Sequence, residues 1–183
     1  LVVPGIAELV DDSDVVAYDR GTGSFSLLFD GSDVGVGSTD PLLGGGERLD
    51  AVHLLEDGRL LISTTGPFVV PGVSGQDEDL TAFTPTSLGA TTAGTWAMYL
   101  DGSAVGLADN SEDTDAVSVA ANGDIYLSTL GNFSVTGVSG QNDDVFVCAP
   151  TSTSPITSCT FSSFSAGAAV GLGGDNVDAI DLP

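Results

Sequence analysis

The chain reads as an all-β protein built from tandem four-stranded antiparallel blade-like repeats, propeller-like and incomplete at both ends. Three observations predict this. First, Pro71-Gly72-Val73-Ser74-Gly75-Gln76-Asp77-Glu78-Asp79-Leu80 returns as Thr136-Gly137-Val138-Ser139-Gly140-Gln141-Asn142-Asp143-Asp144-Val145, and a looser copy runs from Pro4 to Val15. This puts Asp14, Asp79 and Asp144 at intervals of 65 residues, a period that marks repeat architectures. Second, four apolar segments recur in fixed order, each bounded by Gly, Asp, Asn or Pro, as strands are. Third, no stretch of useful length has helical periodicity. The expected organisation is one domain, 1–183, divided into a half repeat 1–49, full repeats 50–114 and 115–177, and a terminal strand 178–183.

The first segment of each repeat is Asp50–Leu55, Asp115–Ala120 and Asp178–Leu182. Side chains alternate across a strand. Val52, Val117 and Ile180 therefore share a face with Leu54, Val119 and Leu182, and His53, Ser118 and Asp181 are expected to meet solvent on the other. The second segment follows a tight turn. Asp57-Gly58 leads into Arg59–Thr64 and Asn122-Gly123 into Asp124–Thr129; both dipeptides tolerate the positive φ of hairpin turns. The Leu60-Leu61-Ile62 run predicts a strand covered on both faces.

A Gly-rich excursion and the opening motif lead to the third segment, Val15–Tyr18, Leu80–Phe83 and Val145–Cys148. The fourth is Phe25–Phe29, Trp96–Leu100 and Phe161–Ser165. Phe25, Trp96 and Phe161 share one repeat position, the expected aromatic anchor of each unit. Each unit closes on a turn of small residues at Asp30–Gly35, Asp101–Gly106 or Ala166–Gly171. Four strands in this span match a slightly long propeller blade, but three blades are too few for an ordinary ring. Val3-Pro4-Gly5 aligns with Val70-Pro71-Gly72, so the chain begins within a repeat, and Leu1–Val3 is a candidate for a missing strand. Leu1–Pro4 has no basic flank or long apolar run of a signal peptide.

Charge narrows the partners. The 183 residues carry 26 acidic side chains against three arginines and no lysine, a net charge of −23. Nucleic acid and anionic membrane surfaces both require basic groups, and no run is long enough to insert in a bilayer. Such self-repulsion calls for screening or bound cations, which fits a saline or calcium-containing extracellular or cell-surface setting.

Two chemistries fit the acidic motif. Asp12, Asp14, Asp77, Asp79, Asn142 and Asp144 offer the oxygen ligands that calcium takes, and Asp50, Asp115 and Asp178 are placed to converge with them. Alternatively, these side chains cap turns by accepting from backbone N–H groups. Cys148 and Cys159 either bridge the third and fourth strands, as an oxidising compartment permits, or remain buried thiols. Asn132-Phe133-Ser134 is an N-glycosylation sequon. Catalysis has little support: His53 is the single histidine, no nucleophile elbow or phosphate loop occurs, and no carboxylate pair stands out for glycoside cleavage. Trp96 and Tyr99 suit either sugar stacking or the core.

The units Asp30–Val36 and Asp77–Gly89 resemble those of uncharacterised secreted bacterial repeat proteins. The resemblance implies a secreted modular β protein and no defined activity. The third unit departs from it, with Ala166-Gly167-Ala168-Ala169 in place of Asp-Gly-Ser-Asp and with both cysteines, as a terminal unit would. The expectation is a non-enzymatic structural or adhesive protein that self-associates, as a homo-oligomer or filament, through open sheet edges. The alternative is an extracellular carbohydrate-binding or glycoside-cleaving propeller domain.

Overall fold

Short apolar runs between Gly- and Asp-containing turns fold into fourteen strands among the described residues of the computed structural model, which are 1–37 and 47–182. The fold is all-β. The first two strands, β1 (Val15–Asp19) and β2 (Ser24–Phe29), form a hairpin. A four-stranded antiparallel sheet follows, containing β3 (Leu49–Leu54), β4 (Leu60–Thr64), β7 (Leu80–Ser87) and β8 (Ala93–Leu100) in that order. A second sheet has the same order: β9 (Thr114–Val119), β10 (Ile125–Thr129), β13 (Val145–Pro150) and β14 (Cys159–Ser165). Among the described residues no sheet closes on itself.

Between the second and third strands of each sheet stands a small hairpin that the sequence reading passed over as Gly-rich excursion. It comprises β5 (Phe68–Val70) with β6 (Val73–Gly75), and β11 (Phe133–Val135) with β12 (Val138–Gly140). Three residues per strand are too few to give a readable alternation. Short helices α1 (Gly102–Val105) and α2 (Gly167–Val170) follow the sheets, and a 3-10 turn at Ser32–Val34 follows the first hairpin. Asp101 caps α1 by accepting from the Ala104 N–H at 2.9 Å. Ala166 stands at the same place before α2 and provides no side-chain cap.

Two apolar cores tie these elements together. Phe29, Leu60, Ile62, Phe68, Phe83 and Trp96 seat the β1–β2 hairpin on one face of the first sheet. Leu61, Leu80, Leu100, Val117, Leu127 and Phe146 fill the space between the two sheets. Leu60 and Ile62 thus point one way and Leu61 the other, so β4 is buried along its whole length, as its apolar run predicts. Each such buried Leu, Ile or Phe contributes roughly 1.5–3 kcal/mol. Trp96 also donates from Nε1 to the Val34 carbonyl at 3.0 Å.

Three expectations are corrected. Phe25, Trp96 and Phe161 are not equivalent anchors: Trp96 is buried in a core, Phe161 is half-buried against the other, and Phe25 is 39% exposed beside Tyr18. The first-strand faces are also not as read. On β3, Val52 and Leu54 are exposed while His53 is half-buried, and on β9 Ser118 is buried beside the buried Val117. These strands adjoin each other across the sheets, so their outward side chains meet another strand instead of water. Residues 178–182 run without strand pairing, although Asp178, Ala179 and Ile180 line a cavity of about 110 Å³ with Asp50–Val52 of β3 and Ala116–Val117 of β9. Leu1–Val3 likewise forms no strand.

Candidate functional site

The repeated acidic motif does the same local work three times. Asp79 is buried; its Oδ2 accepts from the Gln76 N–H at 2.8 Å and its Oδ1 from the Gly102 N–H at 2.8 Å. Asp14 accepts from the N–H groups of Asp11 at 2.9 Å and Gly31 at 3.1 Å. Asp144 accepts from those of Gln141 at 3.0 Å and Gly167 at 3.0 Å. Each carboxylate closes its own loop and pins the start of the turn or helix that follows the fourth strand. Burial raises Asp79 and Asp14 above the ordinary carboxylate range, and the backbone donors oppose it.

The second motif position acts through its main chain. The carbonyls of Asp12, Asp77 and Asn142 accept from the N–H groups of Leu49, Thr114 and Val177 at 2.9, 3.1 and 3.0 Å. Every copy thus hands its carbonyl to the start of the next first segment. The Asp12 side chain, on the surface, pairs with Arg48 at 2.8 Å. The motif therefore couples neighbouring units as well as shaping its own loop.

Glu47 and Glu112 were not singled out by sequence. Each is buried and hydrogen-bonds the inserted hairpin, Glu47 Oε1 accepting from Val69 N–H at 3.1 Å and Glu112 Oε1 from Ser134 N–H at 2.7 Å. Their 65-residue separation was the available signal.

The strongest electrostatic feature lies where β3 and β9 adjoin. Asp50, at the start of β3, is within hydrogen-bonding reach of both Asp113 and Asp115 at the start of β9. Asp113 and Asp115 are each 4% exposed. Burial, then the charge of Asp115, lifts Asp50 to about 6, against the pull of Arg48. Burial, then the charges of Asp50, Asp77 and Asp115, lifts Asp113 to about 8. Nearby, burial and the adjacent Asp77 and Asp79 lift Glu78 to about 7. Asp178 is exposed at the rim, and Asn176 hydrogen-bonds Asp115. Of the residues expected to converge, Asp50, Asp77 and Asp115 meet here around Asp113, and no three His, Cys, Asp or Glu side chains are grouped as a metal ion needs among the described residues.

His53 faces the same seam. Its Nε2 accepts from Val119 N–H at 3.4 Å, and burial lowers it below its usual value, against the charge of Asp181. Cys148 and Cys159 lie at disulfide distance, with Cα atoms 5.2 Å apart, across the β13–β14 hairpin. Asn132 is exposed in the turn before β11. A cleft of about 250 Å³ lies between the two tight turns and is lined by Leu55, Asp57, Arg59 and Val119; small-molecule sites typically span about 300–1,000 Å³. Among the described residues no helix is long and apolar enough to cross a membrane.

No family model, curated protein or solved structure matches the chain.

Proposed function

We propose that the chain is a non-enzymatic structural or adhesive protein of the cell exterior, made of blade-like units that associate through open sheet edges. The observation that supports this most is the use of the recurring polar side chains. Asp14, Asp79 and Asp144 each spend both carboxylate oxygens on backbone N–H groups, work that holds a scaffold together. The edge follows from strand pairing. β7 and β13 pair on both sides, whereas β1, at the corresponding place, pairs with β2 alone among the described residues. An unpaired edge is a template for a strand from another chain. Light scattering and electron microscopy of the purified chain test the reading. Oligomers or filaments that disperse on replacing Val16 by Pro support it, and monomers at all concentrations count against it.

A second reading is carbohydrate binding. Tyr18 and Phe25 are exposed and their rings lie 4.8 Å apart at a 40° tilt, a surface on which sugars can stack. Retention on a glycan array that is lost in Tyr18→Ala distinguishes it from edge association.

A further inference from the structure

The two apolar cores are built from the same motif positions, and the strand registers fix the correspondence. Val15 pairs with Phe29, Leu80 with Leu100 and Val145 with Ser165, while Tyr18 pairs with Phe25, Phe83 with Trp96 and Cys148 with Phe161. The first set points toward the sheet that follows. Val15, Phe29, Val34 and Val36 enter the core shared by the first hairpin and the first sheet. Leu80, Leu100, Val105 and Leu107 enter the core between the two sheets. The second set points toward the element that precedes: Phe83 and Trp96 meet the hairpin, and Cys148 and Phe161 meet the first sheet. A trailing face packed on a leading face is thus used twice.

One face of each kind is left uncovered among the described residues. The trailing face of the second sheet carries Phe164, Val170 and Leu172, at the positions of Tyr99, Val105 and Leu107. Phe164 is 53%, Val170 65% and Leu172 42% exposed, whereas Val105 and Leu107, like Val34 and Val36 before them, are buried. Tyr126 meets Phe164 edge-on there. The leading face of the β1–β2 hairpin carries Tyr18, 54% exposed, and Phe25, at positions where Phe83, Trp96 and Cys148 are buried. Leu1 is exposed where Phe68 and Phe133 are buried. Grouped apolar side chains on so acidic a chain mark an interaction surface.

We propose that the trailing face of the second sheet packs on the leading face of the β1–β2 hairpin of a second copy of this chain, head to tail. This rests on the self-association proposed above, but puts it on sheet faces instead of the β1 edge. Continuity with the two cores inside the chain identifies the occupant: the uncovered faces are the two halves of that same packing, and one chain carries both. Because the halves differ, the contact is heterologous. Repeating it gives a ring where the rotation closes and a filament where it does not. The net charge of −23 opposes the approach of two copies, so salt strengthens the contact.

The test is sedimentation of the full chain over a range of concentrations, in dilute buffer and in about 1 M salt, where the screening length is about 3 Å. Wild type should associate, and more strongly in salt. The double variant Phe164→Ser/Leu172→Ser should weaken association about a hundredfold or more. It should keep the melting temperature of the dilute monomer, since both side chains are already exposed. A mixing experiment reads the geometry even if that variant misfolds. The ring of Phe29, at the position of Ser165, lies 5.3 Å from that of Phe83, at the position of Tyr18. A short thiol cross-linker should therefore join Ser165→Cys protein to Tyr18→Cys protein when the two are mixed, and should join neither to itself. Oligomers that persist in the double variant and disperse in Val16→Pro overturn face packing and leave edge association standing. Cross-linking of either cysteine variant with itself as readily as in the mixture also overturns it. Monomers at every concentration overturn both readings, and their retention on glycans through Tyr18 would give the leading face to sugar instead.

Discussion

Asp79 accepts a hydrogen bond from the Gly102 N–H at 2.8 Å across 23 residues of chain. With its second oxygen on Gln76 N–H, it joins the loop before β7 to the helix after β8. Hydrogen bonds to charged groups contribute about 1.5–3 kcal/mol each, and a buried donor left without a partner adds a penalty. Asp79→Ala should therefore lose about 3 kcal/mol or more in urea unfolding. Asp79→Asn keeps one acceptor oxygen and should lose less. Equal losses would mean that the charge, and not the pair of bonds, carries the effect.

Gly102 is required by closeness. A Cβ there would lie 2.3 Å from the Glu78 carbonyl oxygen, and at the counterpart Gly167 1.9 Å from the Asp143 carbonyl oxygen. Backbone atoms cannot step aside cheaply, so Gly102→Ala should destabilise by about 1–3 kcal/mol, the cost of overpacking. Gly66 has nothing within 4 Å of its Cβ position. Gly66→Ala is the matched control and should leave the unfolding midpoint nearly unchanged.

Glu78 supplies a pH dependence of its own. It is lifted to about 7 by burial and by its acidic neighbours Asp77 and Asp79. A raised carboxyl binds its proton more tightly in the folded state, so its contribution is complete below the unfolded value near 4.3 and is lost as pH rises through about 7. Glu78→Gln should flatten the fall in stability between about pH 5 and pH 8. An unchanged slope in equilibrium unfolding would remove Glu78 from the set of groups responsible.

The Cys148–Cys159 pair closes a short loop, 11 residues in separation. In the chain-entropy account such a cross-link contributes about 3 kcal/mol. Reduction should lower the melting temperature of wild type and leave the double Cys→Ser protein unaffected. The loss should fall on the second sheet, since both cysteines belong to it. Hydrogen exchange in β13 and β14 is the local readout.

The strands of the two sheets were legible because their signals are local. The alternation within 50–55, the Asp57-Gly58 and Asn122-Gly123 turns and the apolar run at 60–62 each act over a few residues, and β3, β4, β9 and β10 form there. The disulfide distance followed from hairpin geometry in the same way. The role of Asp79 was legible as one of two chemistries, since a carboxylate in a Gly-rich loop suits calcium or backbone N–H groups alike.

Sequence alone determined the all-β class, the order of the strands within each sheet and the spacing of the motif, since pleat, turn chemistry and period are properties of the local chain. Tertiary structure decided what stands opposite each side chain. The meeting of β3 with β9 reversed the expected exposure of His53 and Val52 and brought Asp50 against Asp113, and the packing of each unit on the next gave Asp12, Asp77 and Asn142 their coupling role through the main chain. Those two aspartates are 63 residues apart, and only their approach between β3 and β9, together with burial, raises both above the ordinary carboxylate range. Burial and mutual charge arise between elements, so no local pattern in the chain records them.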